Sequence, residues 1–532
     1  MSAELLPFAA TGAPGQPIVI EVRGMRGPGI VSVWRLGDPV LEQSWSGDGS
    51  IELPPLPAGG YGVELTVGEH VVRTAVDVRD DPRTRLRYGF TVDFRPGRDP
   101  GALVDTVRRL HLTGIQFYDW AYRHADLLGG GDEYLDALGQ PVALATVRRL
   151  VAAVTDAGAD ALGYAAVYAV GPQEWPRWEH RALLTATGER YALGDFLFLV
   201  DPAAPDWREA FAAQLAEAAR EIGFAGYHLD QYGYPKTAVS PDGGAVDVER
   251  SFSALIEAVR AALPASRLVF NNVNDFPTWR TGADPQDALY IEPWAPHTTL
   301  GDLADVARRA RAAGGEKPIV LAAYQHVYDD APAANADLAT AFTMATLYSH
   351  GVTQLLAGEG DRVLVDPYYV RNHVVELSTA DLLRRWYDFL VEHDELLLDP
   401  SIVEVTGSYA GEYNAELDVT FAGAELDHRA RAGTVWRRVT RAGDRLVLHL
   451  INLVGQDDTE WDAPRAPVGD PAAGVLRFRR VGAHAPRVRV ADPDGAPRLV
   501  ELPVRLEGEW AEAELPPLAV WQLVTIERTP TP

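Results

Sequence analysis

The stretch GYHLDQYG (residues 226–233) reads as a buried strand that ends on the acid Asp230, and the stretch LYIEPW (residues 289–294) repeats this pattern with Glu292. In each stretch, apolar and aromatic residues precede the acid, and polar or aromatic residues follow it. Parallel strands that are covered by helices have such continuous apolar runs. Two such strands therefore predict a parallel α/β sheet with chemistry at the carboxyl ends of its strands.

Strands and helices alternate on both sides of these two stretches. Helical segments with an apolar period near 3.6, such as residues 207–222 and 300–313, separate most of the predicted strands. Eight such units over roughly 310 residues predict a (β/α)8 TIM barrel. The fifth unit is the weakest, because residues 276–284 accommodate only a short or irregular helix. The predicted strands are Tyr88–Phe94, Gly114–Trp120, Asp160–Val167, Gly226–Gly233, Arg267–Asp275, Asp287–Trp294, Pro318–Tyr324 and Thr353–Glu359.

The regions that flank this barrel have β patterns. Short strands and turns in residues 1–83 predict an N-terminal immunoglobulin-like β-sandwich. Alternating strands after residue 401, such as residues 434–439 and 445–453, predict a C-terminal β-sandwich. We therefore predict a multidomain protein with domains at residues 1–83, 84–400 and 401–532, of which the barrel is catalytic.

The composition restricts the classes of partner and chemistry. The chain has 532 residues, a formal net charge of -27 and no cysteine. The negative charge argues against nucleic acid and against anionic membranes, because both are bound by clustered Lys and Arg. The lack of cysteine excludes disulfides, thiolate metal sites and cysteine nucleophiles. No metal or cofactor is predicted, since the sequence contains neither an HExxH nor a GxxxxGK[ST] motif.

The first residues, MSAELLP, have neither the basic region nor the sustained apolar stretch of a signal peptide. The sequence as written predicts a cytoplasmic protein, or an extracellular one if an export signal was removed. No apolar run approaches the ~18 residues of a membrane span.

Asp230 and Glu292 are the candidate catalytic residues. Each ends a predicted strand, so both are expected to face the same mouth of the barrel. Cleavage of a glycosidic bond requires one carboxylate that attacks or stabilises the sugar cation and one carboxylic acid that protonates the leaving oxygen. Pro293 and Trp294 would desolvate Glu292 and raise its pKa. The alternatives are structural: an N-cap or loop-fixing ion pair for Asp230, and a salt bridge for Glu292.

Polar and aromatic residues near the strand ends are the candidate substrate contacts, because rings stack on pyranose faces and charged or amide groups bind hydroxyls. The alternative for residues 122–124 is that they brace a loop, and for the asparagines at 271, 272 and 274 that they are turn residues. The candidates are Asp119, Trp120, Tyr122, His124, His228, Gln231, Tyr232, Asn272, Asn274, Trp294, Tyr324 and Glu359.

Together these motifs resemble glycoside hydrolase family 66, the family of bacterial dextranases and cycloisomaltooligosaccharide glucanotransferases. The resemblance rests on RYGF (87–90), QFYDW and YRH (116–124), GYHLD (226–230), LYIEPW (289–294) and HLINL (449–453), which follow in the family's order. It implies the three-domain architecture given above. It also implies a retaining mechanism on α-1,6-linked glucan, dextran or isomaltooligosaccharides, with Asp230 as nucleophile and Glu292 as acid/base.

Three functions remain open under this resemblance. Cyclising family members carry an extra carbohydrate-binding module in the barrel, whereas here residues 325–334 leave no room for one, which favours a dextranase-like hydrolase. A glucanotransferase shares the intermediate and differs only in whether sugar or water receives the glucosyl group. A non-catalytic glucan-binding protein is disfavoured by the presence of both acids. Family members tend to be exported, so a cytoplasmic location would suit imported isomaltooligosaccharides.

Overall fold

The computed structural model describes residues 3–469, 473–480 and 485–527. Parallel strands of its central sheet pair in the order in which they follow along the chain. These strands are β1 (Tyr88–Thr91), β2 (Gly114–Phe117), β3 (Asp160–Ala166), β4 (Gly226–Asp230), β5 (Arg267–Val273), β6 (Ala288–Glu292), β7 (Ile319–Leu321), β8 (Thr353–Gln354) and β9 (Ala357–Gly358). β8 pairs with β7, and β9 pairs with β1, so the sheet curls back onto its first strand. This order supports the predicted barrel.

Helices follow the strands and cover the outside of this sheet. They are α1 (Gly101–Arg109), α2 (Leu144–Asp156), α3 (Pro205–Ile222), α4 (Val248–Ala262), α5 (Thr278–Thr281), α6 (Leu300–Gly314), α7 (Ala333–Ser349) and α8 (Leu377–Glu392). A capping box of Thr299 and Asp302 starts α6. α5 is a single turn, as expected for the fifth unit. Further short helices lie at Trp175–Trp178, Val327–Asp330 and Asp394–Leu397.

Sheets of mostly antiparallel strands precede and follow the central sheet along the chain. The N-terminal strands are Glu4–Pro7, Ile18–Arg23, Gly29–Arg35, Asp38–Trp45, Ser50–Leu53, Gly59–Val67 and His70–Val78. Those of the main C-terminal sheets are Val403–Glu404, Leu417–Phe421, Glu425–Asp427, Thr434–Ala442, Arg445–Asn452, Gly474–Arg479, Arg487–Ala491, Val500–Leu502, Val504–Glu507, Trp510–Leu515 and Trp521–Glu527. Each region has its own apolar core. The exact domain boundaries stay predictions.

Short strand pairs also occur in the loops after the central strands. They are Glu133–Leu135 with Pro141–Ala143, Ala169–Val170 with Leu197–Leu199 and Ala192–Leu193, Thr237–Val239 with Ala245–Asp247, and Arg362–Val363 with His373–Val374. Residues of three of these pairs or of their turns, among them Pro141, Leu193 and Arg362, line the cavities described below. Within the described residues, no helix is both long and apolar enough to cross a membrane.

A cluster of buried charges joins the N-terminal sheet to the segment that leads into β1. Asp394 is fully buried and binds Arg85, with 2.9 Å between Oδ2 and Nε, as well as Arg79. Asp77 binds Arg79 at 2.7 Å and Arg87 at 2.9 Å. Burial alone would raise the pKa of Asp394, but the charges of Arg85 and Arg79 outweigh it and hold this pKa below its usual value. The cluster therefore contributes stability while Asp394 is ionised.

Replacing Asp394 with alanine is expected to lower the free energy of unfolding by about 3–5 kcal/mol, because buried arginines would lose their counter-charge. Since the folded-state pKa is depressed, this stabilisation is present above the unfolded-state pKa of an aspartate and is lost as the pH falls through the folded-state value. Urea unfolding at several pH values measures the effect. Glu257→Ala, at an exposed position of α4, is the control, and an equally small loss in both variants would contradict this role.

Candidate active site

A cavity of about 250 Å³ opens where β2 to β6 end, and it contains both candidate catalytic acids. Asp230 is the last residue of β4, and Glu292 is the last residue of β6. Five predicted substrate contacts also line this cavity: His228, Gln231, Tyr232, Trp294 and Tyr324. The structure thus brings together residues that are 62 positions apart, as expected for strands of one parallel sheet.

Strand alternation explains which side chains of β4 enter the cavity. His228 and Asp230 line it. Tyr227 points the other way and donates its hydroxyl to the carbonyl of Leu215 on α3, at 2.6 Å. Side chains of a strand alternate between its two faces. Asp230, two residues after His228, therefore lies on the same face of β4 as His228, which is the inner face of the curled sheet. The hydrogen bond of Tyr227 to the covering helix stabilises this register.

Asn271 on β5 bridges the two acids. Its Nδ2 donates to Oδ1 of Asp230 at 2.7 Å and to Oε2 of Glu292 at 2.9 Å. A side-chain amide has two hydrogens, so one can go to each carboxyl group. The other oxygen of Asp230, Oδ2, accepts a hydrogen bond from the hydroxyl of Tyr164 at 2.8 Å. Asp230 is therefore held on both oxygens, and the two acids lie on opposite sides of one amide.

The two acids have different pKa values. Burial raises the pKa of Asp230 to about 6, although hydrogen bonds from Asn271 and Tyr164 lower it in part. Burial, followed by the negative charge of Asp230, raises the pKa of Glu292 to about 7. Two acids whose surroundings separate their pKa values can serve as base and acid at the same pH. The favoured state near neutrality has Asp230 ionised and Glu292 protonated.

Aromatic rings form one wall of the cavity. Tyr369, from the loop after β9, stacks on Tyr118 with ring centroids 4.3 Å apart. Its hydroxyl lies 2.9 Å from that of Tyr290. Trp294 remains 41% exposed at the cavity mouth and packs against Tyr324, with centroids 5.9 Å apart. This wall offers both flat apolar surface and hydroxyl groups, which suits a sugar ring.

His228 is buried between the rings of Tyr164 and Tyr290, with centroids 6.2 and 4.6 Å away. Its Nδ1 lies 3.3 Å from the hydroxyl of Tyr88. Burial lowers the pKa of His228 to about 3, so its imidazole is neutral at physiological pH. A neutral ring offers one donor and one acceptor, which can position a sugar hydroxyl or the neighbouring phenols.

Three predicted substrate contacts have structural roles instead. Trp120 is fully buried, and its indole N–H donates to the carbonyl of Tyr164 at 3.2 Å. Asn272 is also fully buried; its amide donates to the carbonyls of Phe270 and Tyr290, at 3.3 and 3.2 Å. We correct both predictions, because neither side chain reaches the cavity. Asn272 alternates with Asn271, so only one of them can face inward.

Glu359 is the third correction. It forms an ion pair with Arg98 at 2.7 Å, and its Oε2 accepts hydrogen bonds from Thr91 and from the backbone N–H of Val92. It borders a separate cavity of about 670 Å³, which contains neither catalytic candidate. Cavity size alone therefore does not identify the site. The carboxylate of Glu359 fixes the loop after β1.

Asn274 and Gln231 support the site rather than present free amides to it. Asn274 adopts a φ of 55°. Its side chain accepts from the backbone N–H of Trp294 at 3.1 Å and donates to the carbonyl of Ala295 at 3.0 Å. Gln231 lines the cavity, but its amide donates to the carbonyls of Asn271 and Phe276, each at 3.1 Å. Both residues therefore hold loops in place.

Three predicted contacts after β2, Asp119, Tyr122 and His124, lie beside the catalytic cavity rather than in it. Asp119 is 6% exposed and has a φ of 48°. Burial, and then the charges of Asp136 and Asp230, raise its pKa well above its usual value. His124 contacts the ring of Tyr164, with centroids 6.1 Å apart. Tyr122 packs edge-on against Tyr134, so it has the alternative role of bracing the loop.

Tyr164 and Tyr369 line the site but were not considered from the sequence, whereas Asn271 and Tyr118 were considered there, as a hydroxyl-binding amide and as part of an aromatic cluster, without being chosen as candidates. One signal could have identified Asn271. It lies two residues after Val269, so both side chains are on the same face of β5, and strand pairing puts this face on the same side of the sheet as Asp230 and Glu292. Tyr164 lies within the predicted strand at residues 160–167, whose carboxyl end carries no acid to draw attention to it. Within the described residues, no group of three or more His, Cys, Asp or Glu side chains is placed to hold a metal ion.

Sequence comparison links this chain to glucan-converting enzymes. A cycloisomaltooligosaccharide glucanotransferase of Niallia circulans is 27% identical over 343 residues, which are 57% of this chain and 35% of that protein. A second glucanotransferase of that name and organism is 26% identical over 282 residues, covering 48% of this chain and 29% of that protein. The matches thus span about a third of the length of these relatives.

Structural comparison gives the same fold. A Paenibacillus sp. cycloisomaltooligosaccharide glucanotransferase, solved with cycloisomaltoheptaose, has a TM-score of 0.88 at 18% identity and covers 98% of this chain and 100% of that chain. An alpha-L-fucosidase from Paenibacillus thiaminolyticus has a TM-score of 0.54 at 10% identity, covering 84% and 100%. The model of glycosyl hydrolase family 66 matches residues 42–525. Since this match covers most of the chain, the protein is an enzyme that belongs to glycosyl hydrolase family 66.

Proposed function

We propose that the protein is a retaining glucanotransferase that acts on α-1,6-linked glucan, either dextran or isomaltooligosaccharides. The observation that supports it most strongly is the Asn271 amide, which binds Asp230 and Glu292 at once within one cavity. The names of the relatives support an isomaltooligosaccharide substrate and transfer as the outcome. We further propose that residues 84–400 form the catalytic (β/α)8 barrel, between an immunoglobulin-like domain and a C-terminal β-sandwich.

In the proposed first step, a carboxylate oxygen of Asp230 attacks the anomeric carbon of the bound glucosyl unit. The bond from that carbon to O6 of the next unit breaks, and Glu292 gives its proton to the departing O6. The product is a glucosyl ester of Asp230 and a free sugar hydroxyl. The pKa values of about 6 and 7 suit an ionised Asp230 and a protonated Glu292.

In the proposed second step, Glu292 acts as the base. It removes the proton from the O6 hydroxyl of an acceptor sugar while that oxygen attacks the anomeric carbon, and the ester bond to Asp230 breaks. Two inversions give net retention. If the acceptor is the far end of the same chain, the product is a ring; if it is water, the reaction is hydrolysis.

The spacing of the acids supports retention over inversion. Asn271 Nδ2 lies 2.7 Å from Asp230 Oδ1 and 2.9 Å from Glu292 Oε2. These two oxygens cannot be farther apart than the sum of the two distances. That limit concerns the facing oxygens, and it is compatible with the about 5–5.5 Å between the carboxyl groups of retaining glycosidases, which are closer than the roughly 6.5–9.5 Å of inverting ones. An inverting enzyme needs the larger gap to hold a water molecule.

Hydrolysis is the second candidate. The segment between β7 and α7 holds only the short helix Val327–Asp330, so it has no room for the inserted module that the family resemblance leads us to expect in a cyclising enzyme. Incubation with dextran followed by mass spectrometry separates the candidates. Transfer gives elongated chains, or rings that lack the mass of one water; hydrolysis gives only shorter linear chains. The absence of any change in dextran and in isomaltooligosaccharides would contradict both.

The pH dependence of kcat/KM is expected to be bell-shaped, with limbs near the pKa values of about 6 for Asp230 and about 7 for Glu292. At low pH the activity is lost because Asp230 becomes protonated, and at high pH it is lost because Glu292 gives up its proton. The hydrogen bonds from Asn271 lower both values, so Asn271→Ala is expected to move both limbs to higher pH. Asn414→Ala, in the C-terminal region, is the control. Limbs that stay in place in Asn271→Ala would contradict this role.

A further inference from the structure

The hydroxyl groups of three tyrosines meet beside Glu292. Tyr290 lies on β6, Tyr324 follows β7, and Tyr369 belongs to the loop after β9. The hydroxyl of Tyr369 lies 2.9 Å from that of Tyr290 and 3.4 Å from that of Tyr324. All three side chains are buried and line the catalytic cavity. Their hydroxyl hydrogens must therefore be shared among the few acceptors at this place.

The hydroxyl of Tyr369 is the acceptor for the hydrogen of Tyr324. A phenol has one hydrogen to donate, while its oxygen can also accept. Tyr369 donates its own hydrogen to the side-chain carbonyl oxygen of Gln116 at 3.4 Å, which leaves the oxygen of Tyr369 to accept from Tyr324. The bond from Tyr324 is longer than most bonds between hydroxyl groups. Its hydrogen can therefore turn to a competing acceptor, but it cannot serve two acceptors at once.

Glu292 is the competing acceptor for this hydrogen. Burial and the charge of Asp230 raise the pKa of Glu292 to about 7, whereas hydrogen bonds from Asn271, Tyr324 and Trp294 lower it in part. A hydrogen bond that is donated to a carboxylate stabilises the ionised form. The share of the Tyr324 hydrogen that reaches Glu292 therefore helps to decide whether Glu292 is protonated near neutral pH.

The titratable groups around Glu292 come from several elements. Asp230 on β4 carries the negative charge that acts on Glu292, and His228 on the same strand is neutral at physiological pH. The phenols whose own pKa values respond to the charge of Glu292 are Tyr290, Tyr324 and Tyr369. Those that respond to Asp230 instead are Tyr118, Tyr164 and Tyr232. Of the first group, Tyr324 is the one that donates to Glu292.

The loop that carries Tyr369 is fastened from outside the catalytic cavity. Asn372 donates its side-chain amide to the backbone carbonyl of Tyr369 at 2.7 Å, and its Oδ1 accepts from Nη1 of Arg362 at 2.8 Å. Arg362 and His373 belong to the two paired strands at the base of this loop. Inside the cavity, the ring of Tyr369 stacks on Tyr118. Backbone and ring are thus both held, so the position of the Tyr369 hydroxyl is well defined.

We propose that Tyr369 is a positioning residue, which holds the hydrogen of the Tyr324 hydroxyl and withholds it from Glu292. Without that hydrogen bond the ionised form of Glu292 is less stable, so the protonated form that the first step needs is favoured. Tyr369 acts through Tyr324, and this role requires no contact with the sugar. The inference rests on the proposed function, in which Glu292 is the acid.

Removal of either hydroxyl tests the inference, because the two variants should move the alkaline limb of kcat/KM with dextran in opposite directions. In Tyr369→Phe the ring is kept and the hydrogen of Tyr324 turns to Glu292, so the limb should lie about 0.5–1 pH unit lower. In Tyr324→Phe Glu292 receives no hydrogen from this position, so the limb should lie about 0.5–1 pH unit higher. A general disturbance of the cavity would not produce opposite shifts.

Tyr61→Phe is the matched control, because Tyr61 is a buried tyrosine of the N-terminal sheet whose hydroxyl donates to the carbonyl of Pro57 at 2.8 Å. Its alkaline limb should stay in place. Asn372→Ala loosens Tyr369 from outside the cavity and should lower the limb as Tyr369→Phe does. Carbon-13 NMR of labelled glutamate carboxyl groups follows the same titration without substrate, and the signal that disappears in Glu292→Gln belongs to Glu292.

The outcomes separate this inference from the proposed function. If the wild type converts neither dextran nor isomaltooligosaccharides, the proposed function fails, whatever the titrations show. If the wild type is active but the titration of Glu292 does not change in Tyr369→Phe or in Tyr324→Phe, or changes in the same direction in both, the inference is overturned. Should Tyr369→Phe fail to fold, Asn372→Ala decides, and a limb that is not lowered there would overturn the inference as well.

Discussion

The Asp230→Asn variant is expected to lose turnover of dextran by roughly 10⁴- to 10⁶-fold, the size of loss seen when an enzyme's nucleophile is removed. An amide cannot form the glucosyl ester, so the first step has no nucleophile. The replacement keeps the shape of the side chain, and Tyr164 can still donate to the amide oxygen. Initial rates with dextran give the loss in turnover, and titration with isomaltotriose shows whether the sugar still binds.

A second replacement identifies the role of the lost carboxylate. Asp230→Ala leaves space beside the anomeric carbon, and added azide is expected to enter it and form a β-glucosyl azide from an α-linked donor. Asp242→Asn, in an exposed turn, is the control and should retain wild-type rates. Undiminished turnover in Asp230→Asn, or full loss of sugar binding with it, would contradict the assignment of Asp230 as the nucleophile.

The central sheet could be predicted from the sequence because its strands are continuous apolar runs. β4 and β6 are buried along their whole length apart from Asp230, which is half-buried, so each carries a strong local signal. Both end on an acid within the predicted segments. Parallel strands place their carboxyl ends on one face of the sheet, so the meeting of Asp230 and Glu292 required no knowledge of the loops.

Asn272 was wrongly predicted as a substrate contact because the sequence did not show on which face of β5 its side chain lies. Asn271 and Asn272 have the same side chain, but only Asn271 points to the acids. The phase of a strand follows from its neighbours in the sheet, and residue type does not reveal it. Glu359 was misassigned for a different reason: its partner Arg98 comes from the loop after β1, and an ion pair between distant loops has no sequence pattern.

Residues from distant loops were missed for the same physical reason. Tyr369 follows β9 by a loop and reaches back to stack on Tyr118 and to contact the hydroxyl of Tyr290. Nothing in the local sequence around Tyr369 indicates which strand it meets, because loop conformation is fixed by tertiary contacts.

The Glu292→Gln variant is expected to lose turnover in a way that depends on the leaving group. A sugar O6 leaves poorly without a proton, so the loss with dextran should be about 10²- to 10⁴-fold, the usual contribution of general acid catalysis. A 4-nitrophenolate leaves without a proton, so the first step with a 4-nitrophenyl α-isomaltoside as donor should be largely preserved. The alkaline limb of the pH profile should disappear as well, because glutamine does not titrate.

The same variant should also accumulate the intermediate. Glutamine cannot deprotonate the acceptor, so the second step becomes slower than the first with an activated donor. We expect a burst of nitrophenolate equal to the enzyme concentration, and a mass increase of the protein that maps to Asp230. Glu257→Gln, exposed on α4, is the control. An equal loss with dextran and with the 4-nitrophenyl donor, without a burst, would assign Glu292 to substrate binding or folding instead of proton transfer.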